Sequence, residues 1–94
     1  MLICRIAYDA RGKDTERQAN LAAHAAYLRS RAASCIVQSG PLFSSDGANT
    51  KIGALIVFDV QDIAQVNAFS ANDPFILADV YDRVELLQWN RTIG

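Results

Sequence analysis

Residues 53–60, Gly53-Ala-Leu-Ile-Val-Phe-Asp-Val60, decide the fold. They form the most apolar strand-like run in the chain, and polar residues do not alternate with apolar ones. Such a strand has both of its faces covered. Immediately upstream, residues 44–51 are rich in serine, aspartate, glycine and asparagine and read as a turn-rich loop. Before that loop, Cys35-Ile-Val-Gln-Ser39 reads as a shorter strand, stopped by Gly40-Pro41. Downstream, Asp62 has the chemistry of an N-cap for a helix from Ile63 to about Ala71, which Asn72-Asp73-Pro74 ends. One further helical turn fits Phe75–Ala78. A last strand fits Val80 to about Arg91, with Tyr81, Leu87 and Trp89 on one side and Val80, Val84 and Leu86 on the other.

The N-terminal part completes the pattern. Leu2–Tyr8 reads as a strand, with Leu2, Cys4, Ile6 and Tyr8 on one face and Ile3, Arg5 and Ala7 on the other. Thr15-Glu-Arg-Gln18 has capping-box spacing and opens an alanine-rich helix running to about Ala33. The order strand, helix, strand, strand, helix, strand is an α+β, ferredoxin-like βαββαβ arrangement. It gives a four-stranded antiparallel sheet in the order 4-1-3-2. Two helices cover one face of that sheet. The apolar residues on its other face ask for a second sheet about 10 Å away, so two copies of the chain are expected to meet as a dimeric α/β barrel. The 94 residues read as one domain, residues 1–94.

Composition excludes several functions. Hydrophobic residues are 51% and charged residues 20% of the chain, which fits a globular rather than a disordered protein. Net charge is −1 with no basic stretch, so nucleic acid is not an expected partner. No run approaches the roughly 18 apolar residues of a membrane span, and Met1–Arg5 lacks the pattern of a signal peptide. A cytoplasmic protein with reduced Cys4 and Cys35 is expected. No phosphate loop, dinucleotide fingerprint, Ser-His-Asp order or zinc-ligand spacing is present, so no cofactor or metal is expected.

His24, the chain's one histidine, lies on the first helix. On a helical wheel Leu21 and Leu28 fall within about 60° of it on one side and Tyr27 about 60° away on the other. His24 therefore belongs to the inward arc, where an imidazole can move protons near neutral pH. A lone inward histidine also reads as a plain core residue. Asp73, before Pro74, is a natural N-cap, and its carboxylate can orient His24 at the same time. Gly40-Pro41 lets a ligand approach backbone closely. Arg17, Arg5, Tyr8, Tyr27 and Tyr81 are candidate pocket residues, the two arginines as partners for a substrate carboxylate.

Taken in order, several segments resemble the YCII family. They are Arg17 with His24-Ala-Ala-Tyr27-Leu28, Ser39-Gly40-Pro41-Leu42, Gly53–Val57, Asn72-Asp73-Pro74-Phe75 with Ala78–Tyr81, and the Val84–Trp89 strand. The chain departs from the family pattern at Ala33-Ser34, where a glycine is common. The resemblance implies a ferredoxin-like subunit, a dimeric α/β barrel, and a pocket where His24 and Asp73 form an acid–base pair. Relatives include a chloromuconolactone dehalogenase, and the wider superfamily holds muconolactone isomerases and small monooxygenases.

Over a cofactor-free monooxygenase, which needs an activated aromatic substrate that supplies its own electrons, the sequence favours two other functions. One is an isomerase or dehalogenase-like lyase that transfers a proton on a small organic acid or lactone. The other is a non-catalytic homodimeric module that binds a small metabolite or assists another enzyme.

Overall fold

The computed structural model describes residues 1–94 and places the apolar run inside a four-stranded sheet. The strands are β1 (Leu2–Asp9), β2 (Ile36–Phe43), β3 (Lys51–Asp59) and β4 (Tyr81–Trp89), in the order β2-β3-β1-β4. All neighbours are antiparallel. Helices α1 (Asp14–Leu28), α2 (Ile63–Ala71) and α3 (Pro74–Leu77) connect them. The expected strand order and antiparallel sheet are those observed.

Ile3, Ile56, Phe58, Val60, Val66 and Phe69 form the main core under the helices. Burying each such side chain contributes about 1.5–3 kcal/mol. A second cluster, Ala7, Phe75, Val80 and Tyr81, lies at the other end of β1. Val57 is buried but belongs to neither cluster. Its neighbours Cys4, Ile6, Leu55 and Leu87 line a groove of about 400 Å³ on the opposite sheet face. Leu87 and Trp89 are 50% and 38% exposed there.

Three local readings of the sequence need correction. The first helix begins at Asp14 after Lys13, with no side-chain cap; Asp14 and Glu16 instead place negative charge in the first turn, where it suits the helix dipole. It ends at Leu28, and Arg31–Ala33 forms a separate 3-10 turn that drops Ala33 into the core. Gly40-Pro41 does not stop β2, which runs on to Phe43. β2 is an edge strand, so the missing proline N–H is tolerated.

Three bulges interrupt the strand pairing, and two shape the site. Tyr8 pairs with Arg83 while Asp9 pairs with Tyr81, which leaves Asp82 as the extra residue. This reverses the side to which Tyr81 points, because one additional residue shifts the two-residue period by half a cycle. Tyr81 therefore packs with Ala7 and Phe75 rather than beside Leu87 and Trp89. In the same way Leu42 pairs with Gly53 and Phe43 with Lys51, so Ile52 is skipped and Lys51 changes sides. The third bulge, at Val37, lies farther along β2.

Candidate active site

No residue of α1 is fully buried, because a cleft of about 200 Å³ lies between that helix and the sheet. Leu21, His24 and Leu28 of α1 form one wall. Ser39, Gly40 and Pro41 of β2 form another, and Lys51 and Ala54–Ile56 of β3 line it as well. Phe75 and Tyr81 close the remaining side.

His24 is fixed within this wall by two contacts. Its ring stacks on Phe75, with centroids 3.9 Å apart and planes 9° from parallel. Its Nδ1 lies 2.7 Å from Asp73 Oδ1. Asp73 is completely buried and begins α3, where the same Oδ1 accepts the Phe75 N–H at 3.0 Å. Arg5 Nη2 donates to Asp73 Oδ2 at 2.8 Å, and Arg5 Nη1 donates to Ser70 Oγ at 3.0 Å. Phe69 and Tyr81 flank the guanidinium, each ring centroid 5.9 Å away.

This packing sets the protonation of the group. Burial alone would push the Asp73 carboxyl up. Hydrogen bonds from His24, Arg5 and the Phe75 N–H, together with the charge of Arg5, outweigh burial and hold it below its ordinary value. A carboxylate accepts only, so the facing Nδ1 of His24 carries the hydrogen. Nε2 of the neutral ring is then left with its lone pair, and it makes no hydrogen bond within the chain. Burial pushes the Tyr81 phenol up to about 12. Its hydroxyl therefore keeps its proton at neutral pH.

The remaining candidates from the sequence fall into two groups. Gly40, Pro41 and Tyr81 line the cleft with His24. A Cβ added at Gly40 would meet nothing within 4 Å, so the cleft does not depend on glycine there. Arg5, Arg17, Tyr8 and Tyr27 are placed elsewhere. Arg5 is 1% exposed and lies behind Asp73 rather than in the cleft. Arg17 Nη2 pairs with Asp9 Oδ1 at 3.1 Å, near the N-terminal end of α1. Tyr8 projects from the other sheet face, where the Arg83 guanidinium sits 4.4 Å from its ring centroid. Tyr27 packs on Phe69 and donates to the Phe69 carbonyl at 2.7 Å. Sequence reading missed Phe75 and Ser39 as cleft residues, and also Lys51, which only the bulge at Ile52 brings there.

Residues 1–90 match the YCII-related domain. The chain belongs to the YCII-related family. Among solved structures it is similar to the 5-chloro-2-hydroxyhydroquinone dehydrochlorinase TftG of Burkholderia phenoliruptrix AC1100, crystallised with 2,5-dihydroxybenzoquinone. The two are 26% identical over 96% of this chain and 94% of that one, with a TM-score of 0.81. The protein At3g17210 of Arabidopsis thaliana shares the fold, at 13% identity over 99% and 96% of the two chains and a TM-score of 0.52. No curated protein matches the sequence. The YCII match and the TftG likeness give the chain the subunit fold of the dimeric α/β-barrel superfamily.

Proposed function

We propose that this YCII-related chain is a small-molecule enzyme of the isomerase or dehalogenase-like lyase type, with His24 as its proton-transfer group. One observation carries the reading: His24 Nδ1 is held on a buried, arginine-bound carboxylate, while His24 lines a cleft and its Nε2 makes no hydrogen bond in the chain. In this role Nε2 takes a proton from a substrate atom next to a carbonyl. Asp73 fixes the tautomer and stabilises the imidazolium that forms. In an elimination, the electron pair released by that proton forms the new double bond and halide leaves with its own bonding pair. In an isomerisation, the imidazolium returns the proton to another atom of the substrate. The Tyr81 hydroxyl, which makes no hydrogen bond in the chain, donates to the substrate oxygen where negative charge develops.

The similarity to TftG supports this class of chemistry and favours small oxygenated substrates. The test is turnover of 5-chloro-2-hydroxyhydroquinone and of a substituted muconolactone, followed by chloride release and by absorbance. His24→Gln is expected to lower turnover by about 10²–10⁴ while circular dichroism stays unchanged. Turnover of the variant equal to wild type would remove His24 from the reaction.

The groove around Val57 supports a homodimer, with a second copy laid on the outer sheet face. Leu87→Asp is then expected to give a monomer in sedimentation, and an unchanged sedimentation coefficient would exclude that face. No helix is long and apolar enough to cross a membrane. The free thiols of Cys4 and Cys35 suit a cytoplasmic location.

A further inference from the structure

We propose that Lys51 makes this cleft an anion site, so that the substrate binds as a phenolate, enolate or carboxylate with its negative oxygen on the Lys51 ammonium. The inference rests on the acid–base reading above for the word substrate, and on the cleft alone for binding. Lys51 is the one lysine or arginine lining the cleft. It is there because a bulge places it there, at the end of β3 opposite Phe43. Its Nζ donates to Asp9 Oδ2 at 2.9 Å. An ammonium has three N–H donors, so two stay open to a ligand.

Asp9 does not cancel this charge. Its other oxygen, Oδ1, is held by Arg17 Nη2 at 3.1 Å, so one carboxylate serves two cations. Asp14 answers Arg17 from the far side at 3.6 Å, but it is 96% exposed and its charge is screened by water. Asp9 therefore acts as a tether that aims Lys51, while Arg17 answers part of the tether's charge. An anion that reaches the cleft meets the Lys51 cation, with His24, whose Nε2 makes no hydrogen bond in the chain, on the helix wall. Deprotonating a neutral substrate on Nε2 also creates negative oxygen, and the same ammonium would stabilise it.

Binding tests this without turnover. Calorimetric titrations would compare 2,5-dihydroxybenzoquinone, a vinylogous acid that is anionic at neutral pH, with neutral hydroquinone. Wild type is expected to prefer the anion, and added salt to weaken that preference. Lys51→Met is expected to bind the anion about ten- to a hundredfold more weakly, since a hydrogen bond to a charged group is lost. Its affinity for hydroquinone should stay the same, and Lys51→Arg should recover most of the loss. Equal binding of the anion by wild type and Lys51→Met, at unchanged circular dichroism, overturns the proposal. So does a wild type that shows no preference for the anion or no saturable binding of it. His24→Gln separates the two ideas: if proton transfer fails as a function, the preference of this variant for the anion still reports on Lys51.

Discussion

Arg5→Met is the most informative perturbation of the fold. The Arg5 and Asp73 side chains are 1% and 0% exposed, and the guanidinium gives one hydrogen bond to Asp73 and one to Ser70. Methionine fills most of the same volume but leaves Asp73 Oδ2 without its partner in a fully buried position. Breaking a buried ion pair from one side costs about 3–5 kcal/mol. At about 4–8 °C per kcal/mol for a domain of this size, the lower figure alone lowers Tm by about 12–24 °C. Against total stabilities of about 5–15 kcal/mol, a loss at the lower figure leaves the variant folded at room temperature. Urea denaturation at pH 7, at one protein concentration for all variants, measures the loss. Activity should fall with it, because Asp73 no longer has a fixed orientation. The double variant Arg5→Met/Asp73→Leu removes the stranded charge. It should recover most of the stability, short of about 1 kcal/mol for the lost α3 cap, and none of the activity. A single variant within about 1 kcal/mol of wild type and fully active would refute the ion-pair reasoning.

Other substitutions test separate parts of the site. Tyr81→Phe should change stability by less than about 0.5 kcal/mol, as its hydroxyl has no partner in the chain, yet lower turnover by about 10²; both are read from one purified variant. Asp73 titrates below its ordinary range when folded, so its contribution to stability is complete above about pH 4 and drains away as pH falls through the folded value. Urea midpoints between pH 6 and pH 2 should therefore fall less steeply in Asp73→Asn than in wild type. Gly53→Ala should destabilise by about 1–3 kcal/mol in the same assay, because its Cβ would run into the Ala7 carbonyl and push β1 from β3. Deleting Asp82 should remove the bulge yet leave Tyr81 opposite Asp9 on the inner face, so the far-ultraviolet spectrum and turnover should both persist; loss of turnover would show that the bulge itself shapes the site.

The fold was legible because its signals are periodic. The unbroken apolar run Gly53–Val60 marks an interior strand, and the alternation in Leu2–Tyr8 separates Ile3, Arg5 and Ala7 from Cys4 and Ile6. The nearness of His24 and Asp73 was legible from the inward arc of α1, the Asp-Pro cap and the family resemblance. What was not legible depends on breaks in the period. Counting by twos puts Tyr81 beside Leu87, and nothing in the sequence marks Asp82 as an extra residue. Lys51 reads as the end of a polar loop until Ile52 is skipped. The sequence offers Arg5 and Arg17 alike as partners for a substrate carboxylate and does not show that Asp73 and Asp9 already pair with them within the chain.

A single oxygen atom, Asp73 Oδ1, both starts the four-residue helix α3 and orients the His24 ring, which itself rests on the first aromatic residue of that helix. Fraying of so short a segment would misalign the imidazole while the sheet stayed intact. Under the proposed function, proton transfer would then disappear at milder heat or denaturant than bulk structure, and the imidazole could not be re-aimed without also altering the turn that carries its partner.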